Sequence, residues 1–176
     1  MILNERDNRK ERALDVAYKM INAARTAPKT KGADLIETAI VTGENIQELS
    51  EEMLHLEYRG GKYQFDRDSA NILQAECVVL IGTKEKAMGL NCGHCGFITC
   101  GSRSSEVLCV FNSVDVGIAV GSACAMAADM RVDARVMFSA GLAAQKLNYL
   151  PGCSMLMAIP ISISSKNPFF DRQPKK

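Results

Sequence analysis

The chain has 176 residues, which suits one domain, spanning 1–176, with a sizeable core. Charged residues make up 23% of it and the net charge is +1, a balance that gives no ground for a nucleic-acid or membrane-surface partner. Met1 to Arg12 is too charged for a secretory signal, and the longest apolar stretch, Val116 to Met130, is short for a bilayer and carries Asp129, so a soluble cytoplasmic protein is expected.

The periodicity predicts a first helix from about Asn8 to Ala27, with Leu14, Ala17, Tyr18, Ile21 and Ala24 at helical spacing. Pro28 ends it. Leu35 to Thr42 is β-rich and reads as a strand. Asn45 to Leu56 places Ile46, Leu49, Met53 and Leu56 on one face of a second helix, stopped by Gly60 and Gly61. Asp66 can cap a short helix through Leu73. Cys77 to Gly82 reads as a buried strand and a cysteine-rich loop follows it. Val114 to Met130 is then a helix of small apolar residues. Val136 to Ala140 is expected as a strand, Ala143 to Leu150 as a short helix and Met155 to Ile163 as a last strand. Alternating strands and helices indicate an α/β or α+β class. There is no internal repeat, and the loop at 88–110 looks like an insert between a strand and a helix.

That loop holds the most specific motif. Cys92, Cys95, Cys100 and Cys109 form C-x2-C-x4-C-x8-C, with Gly93, Gly96 and Gly101 beside the first three. Glycine reaches positive φ, so the backbone can curl around a centre and aim N–H groups at sulfur. An iron–sulfur cluster suits this spacing best. Zinc also accepts four thiolates, but zinc ribbons pair two C-x2-C knuckles and only one is present. Redox-active or free thiols are the third possibility. The cysteine count favours [4Fe–4S] and [2Fe–2S] equally. His94 lies inside the knuckle as an alternative ligand or a polar neighbour. Cys77, Cys124 and Cys153 lie in apolar segments and read as small buried hydrophobes. Only two histidines exist, and neither has the motif of a Ser-His-Asp triad.

Gly117, Gly121 and Ala125 share one helix face. Such a stripe admits close approach of another element. Tight packing in an ordinary buried helix, a homodimer interface and a flat cofactor are all consistent with it.

Three pieces together resemble an uncharacterised prokaryotic family described as containing a ferredoxin domain. They are Cys92-Gly-His-Cys-Gly-Phe97, Cys109-Val-Phe-Asn-Ser-Val-Asp-Val-Gly-Ile-Ala-Val-Gly121 and Lys166-Asn-Pro-Phe-Phe-Asp-Arg172. The resemblance covers nearly the whole chain, though the loop before Cys109 is shorter than the family pattern. The cysteine motif is also similar to the [4Fe–4S] module of some electron-transfer subunits, which favours four irons over two.

A wider resemblance is to the flavin-dependent nitroreductases. It is carried by Ala23 to Pro28, by Asp115 to Val132 and by Leu147 to Pro160. It implies an α+β sandwich (a mixed sheet flanked by helices), a homodimer, and FMN at the dimer interface. Two features depart from that pattern. The first helix begins with Arg6, Arg9, Lys10 and Arg12 without a clean match to the usual arginine motif. The turn after it has Lys and Gly in place of Ser and Asn. A flavin phosphate needs fixed cations and amide donors. Arg25, Lys29 and Lys31 are the candidates from the turn, and Lys166 and Arg172 from the tail. Phe169 and Phe170 are expected to dock the tail on a partner subunit or over the cofactor edge.

The expectation is an iron–sulfur redox protein, with FMN as a possible second cofactor. A zinc-stabilised scaffold and a redox sensor are the alternatives.

Overall fold

We describe a computed structural model, which covers residues 1–58, 61–62 and 65–172. Its framework follows from the run Cys77–Ile81, apolar at every position and fully buried. A strand points successive side chains to opposite faces, so such a run requires cover on both sides. This strand, β4 (Cys77–Lys84), lies inside a four-stranded sheet of order β1-β4-β6-β5, in which β1 is Ile36–Val41, β6 is Cys153–Ser162 and β5 is Asp133–Ala134. All three pairings are antiparallel, where a mixed sheet was expected. A two-residue pair, β2 (Glu57–Tyr58) with β3 (Gly61–Lys62), stands apart. The expected stop at Gly60 lies outside the described residues; the second helix already ends at His55.

Odd and even positions of β4 feed two separate cores. Cys77, Val79 and Ile81 meet helices α1 (Arg9–Thr26) and α4 (Val110–Asp129), together with Ile36, Ile159 and Ile161. Val78 and Leu80 meet the other layer, α2 (Glu44–His55), α3 (Asp66–Ile72) and α5 (Phe138–Lys146). The result is an α+β sandwich.

Two helices differ from their sequence reading. The buried face of α1 is Ala13, Val16, Ala17, Met20 and Ala24, while Tyr18 is exposed. Alanines turn inward because α1 lies along the small buried residues Ala119, Ala123 and Ala127 of α4. The stripe Gly117–Gly121–Ala125 is on the outside, and a Cβ added to either glycine would meet nothing within 4 Å. By length and composition α4 is also apolar enough to cross a membrane, but its Val116 and Val120 are packed into the first core. The second difference is α5. It starts at Phe138, where a strand was expected, because only Met137 bridges to β6, at Ala158.

The tail docks on its own chain through Phe169, where the cofactor edge or a partner subunit was expected. Phe169 is fully buried in the second core, whereas Phe170 is exposed beneath the Arg135 guanidinium, 5.5 Å from the ring centroid. Asp68 organises this corner. It accepts from Arg135 (2.8 Å), Ser139 (2.8 Å) and Arg67 (3.0 Å), and Arg135 also donates to the Phe169 carbonyl at 2.9 Å. Burial works to raise the Asp68 pKa, but these donors outweigh it and hold the carboxyl below its usual value. A depressed folded pKa contributes stability above the unfolded value, lost as pH falls through the folded one. Asp68→Ala strands the Arg135 charge and is expected to cost about 3 kcal/mol at pH 7. The check is the urea midpoint, and the deficit relative to the parent should shrink on acidification.

Candidate metal centre

The loop between β4 and α4 runs from Glu85 to Cys109 and is closed by its own polar atoms. Asn91 sits at φ +47°, a conformation that Asn tolerates better than most residues. From there its Oδ1 accepts from the Cys100 N–H at 2.8 Å, and its own N–H donates to Cys100 Sγ at 3.4 Å. Gly93 and Gly96 both have positive φ and close a turn, with the Gly96 N–H 2.9 Å from the Gly93 carbonyl. Thr99 and Ser102 cap one another across the short 3-10 turn that starts at Cys100. Cys109 is the residue before the first turn of α4.

This folding brings the four motif cysteines around one small cavity. Cys92, Cys95, Cys100 and Cys109 line it, with Asn91, Phe97, Thr99 and Arg103 among the other walls. Cys92 is exposed, Cys95 and Cys100 are half-buried and Cys109 is buried. Among the described residues no three His, Cys, Asp or Glu side chains gather closely enough to hold a single ion. Backbone N–H groups, led by that of Asn91 and followed by those of Gly89 and Leu90, together with the Arg103 charge, lower the Cys100 pKa. The thiolate is the metal ligand, so this favours ligation. The cysteines outside the motif differ. Burial pushes Cys77 up to about 12 and raises Cys124 and Cys153. His94 tilts against Phe111, with centroids 6.1 Å apart, and does not line the cavity.

The root of the loop is anchored to the helical layer. The buried Asn112 of α4 accepts from the Lys86 N–H at 3.0 Å. One turn on, the buried Asp115 accepts from both the N–H and the hydroxyl of Thr30, at 2.9 Å each. Lys31 donates to the Met88 carbonyl at 3.3 Å. The turn after α1 and the cysteine loop are thus held on adjacent turns of one helix.

The five expected cofactor cations do not form one group. Arg25 donates to Asp34 (2.6 Å) and to the Ile36 carbonyl (2.5 Å). Lys29 caps the end of α1, donating to the carbonyls of Ala24 (2.9 Å), Ala27 (2.8 Å) and Arg25. Burial lowers its pKa. With Lys31 on Met88, the turn cations are all engaged by the protein. Lys166, paired with Asp171 at 2.7 Å, and Arg172 lie elsewhere, beside α3. There they line a cavity of about 500 Å3 with Arg67 and Asn71. Sequence reasoning missed Asn91 and Arg103. Asn91 had a weak signal, a residue tolerant of positive φ directly before the knuckle. Arg103 had none, since nothing local marks a loop arginine as buried.

A family model described as "Uncharacterized protein containing a ferredoxin domain" matches residues 105–172. An uncharacterised protein of Archaeoglobus fulgidus is 38% identical over 186 residues, covering 100% of both chains. Among solved structures, the hypothetical oxidoreductase YcnD of Bacillus subtilis superposes with a TM-score of 0.61 at 18% identity, over 93% of this chain and 61% of that one. A nitroreductase with bound FMN from Desulfitobacterium hafniense gives 0.60 at 14% identity, over 86% and 78%. The NADPH:FMN oxidoreductase of Vibrio harveyi, complexed with NAD+, gives 0.60 at 14%, over 92% and 63%. The sandwich is therefore the nitroreductase fold, and the chain belongs to one family with the Archaeoglobus protein, its residues 105–172 matching the ferredoxin-domain model.

Proposed function

We propose that this chain is an iron–sulfur redox protein that binds a [4Fe–4S] cluster through Cys92, Cys95, Cys100 and Cys109. The observation that carries this reading is that these four cysteines, and none of the other three, line one cavity. Zinc would require its sulfurs about 2.3 Å from a single point, and zinc ribbons pair two C-x2-C knuckles where this segment has one. A cluster spreads its thiolates over separate irons. When bound it supplies one-electron transfer. The chain's own residues hold the thiolates and aim N–H groups at Cys100. The reading also takes residues 1–176 as one domain, with 88–110 as the cluster insert. It places the protein in the reducing cytoplasm, where thiols persist.

The outward stripe of α4, flanked by the exposed Val114 and Ile118, supports a homodimer. FMN is a second reading, supported by the fold and by the cations around the cavity of Arg67, Lys166 and Arg172. The turn cations fit a phosphate poorly, because each already has protein partners.

The test is the visible spectrum of protein purified without oxygen, with iron, sulfide and zinc analysis. A brown band that dithionite bleaches, with iron and acid-labile sulfide, is expected. Resolved yellow bands that survive denaturation as free FMN would support the second reading. A colourless protein with stoichiometric zinc would overturn the first in favour of a structural metal.

A further inference from the structure

We infer that Arg103 sets the reduction potential of the centre, by holding a permanent cation and an unpaired N–H against it, and that Glu85 opposes it. The inference rests on the iron–sulfur reading above. Arg103 belongs to the stretch between the third and fourth cysteines and lines their cavity. Its side chain is only 8% exposed. One terminal nitrogen donates to the Val107 carbonyl and the other is paired with Glu85. The remaining donor, Nε–H, is buried and meets no acceptor among the described residues.

A buried donor without an acceptor is costly, and such groups in folded proteins call for a partner. A guanidinium keeps its proton under all ordinary conditions, so neutralisation offers no escape. The cavity wall supplies sulfur, and a bound cluster would add sulfide and thiolate charge. Charge-assisted bonds from cationic donors to anionic acceptors are the strong ones. One-electron reduction adds a negative charge to the centre. A fixed cation there stabilises the reduced form more than the oxidised one. Net charge and hydrogen bonds to sulfur are among the terms that set cluster potentials. The Glu85 carboxylate beside the same guanidinium cancels part of that field. Arg103 is thus a positioning and tuning residue, not a ligand.

The experiment is a dithionite titration of the reconstituted protein under argon, followed in the visible and by electron paramagnetic resonance. The parent is compared with Arg103→Gln, Arg103→Lys and Glu85→Gln. Arg103→Gln is expected to shift the oxidised-to-reduced equilibrium about tenfold toward oxidised, which is about 59 mV lower for a one-electron couple. Glu85→Gln is expected to raise the potential. Arg103→Lys keeps charge without the Nε–H and should fall between Arg103→Gln and the parent. A loop merely loosened by either change would move both potentials the same way, and that outcome overturns the inference. So do variants that titrate with the parent. If Arg103→Gln does not load, Arg103→Lys and Glu85→Gln still give opposite signs or do not. Failure of the parent itself to take up iron and sulfide overturns the cluster reading, and this inference with it.

Discussion

Replacing Cys109 with serine is expected to reduce iron and sulfide uptake at least about tenfold, because in the proposed cluster one iron would lose its only protein ligand. A serine hydroxyl is a hard donor that stays protonated, and cluster iron is selected by soft thiolate. Cys109 should be the most sensitive of the four positions. It is buried, and it precedes the first turn of a twenty-residue helix, whose N–H groups and dipole favour negative charge. Cys92 is exposed, so its replacement leaves an open edge where water or an added thiol can substitute, and a partly loaded protein is the expected result. Cys124→Ser is the control. Burial raises that thiol and it lies away from the cavity, so iron content should match the parent. Iron and sulfide assays on anaerobically reconstituted samples decide the matter. Equal loading of Cys109→Ser and Cys124→Ser would remove the four-cysteine centre.

Among the described glycines, Gly141→Ala should be the most damaging. Its Cβ would lie 2.3 Å from the Leu156 carbonyl oxygen and 2.9 Å from the Met157 Cα. Both are backbone atoms of β6, and no rotamer change can move them. Gly141 is where α5 rests directly on the sheet, so the helix would have to lift away from Leu156 and Ala158. Overpacking of this kind costs about 3 kcal/mol, a large share of the stability of a domain this size. A lowered urea midpoint in Gly141→Ala is expected. Gly117→Ala is the contrast: the added Cβ meets nothing within 4 Å in a helix that gains from alanine. It should be neutral or stabilising in the isolated subunit. If the outer stripe of α4 is a dimer seam, Gly117→Ala should weaken association in sedimentation, although folding is unharmed.

Much of the architecture was legible because it depends on local periodicity. Strands β1, β4 and β6 and helices α1, α2 and α4 lie within a few residues of their expected spans. The cysteine spacing singled out the right segment for a shared cavity, since glycine and close sequence separation confine where those sulfurs can go. Helix α5 was misread because its residues are small and apolar, which satisfies a strand pattern and a helix pattern alike. Its identity was decided by Gly141 fitting against β6, a contact between residues that sequence periodicity does not connect.

The sequence by itself determined the types of β1, β4, β6, α1, α2 and α4, the two-sided burial of β4 and the four-cysteine loop, because each follows from spacing within one segment. The tertiary structure decided which way α4 turns its small residues, since that depends on α1 taking the opposite alanine face. It separated the five cations expected to hold a cofactor into two groups, since each cation chooses among acceptors that only folding brings near. It also buried Arg103 beside the cysteines with one donor that meets no acceptor among the described residues, a property of long-range packing that no local motif encodes.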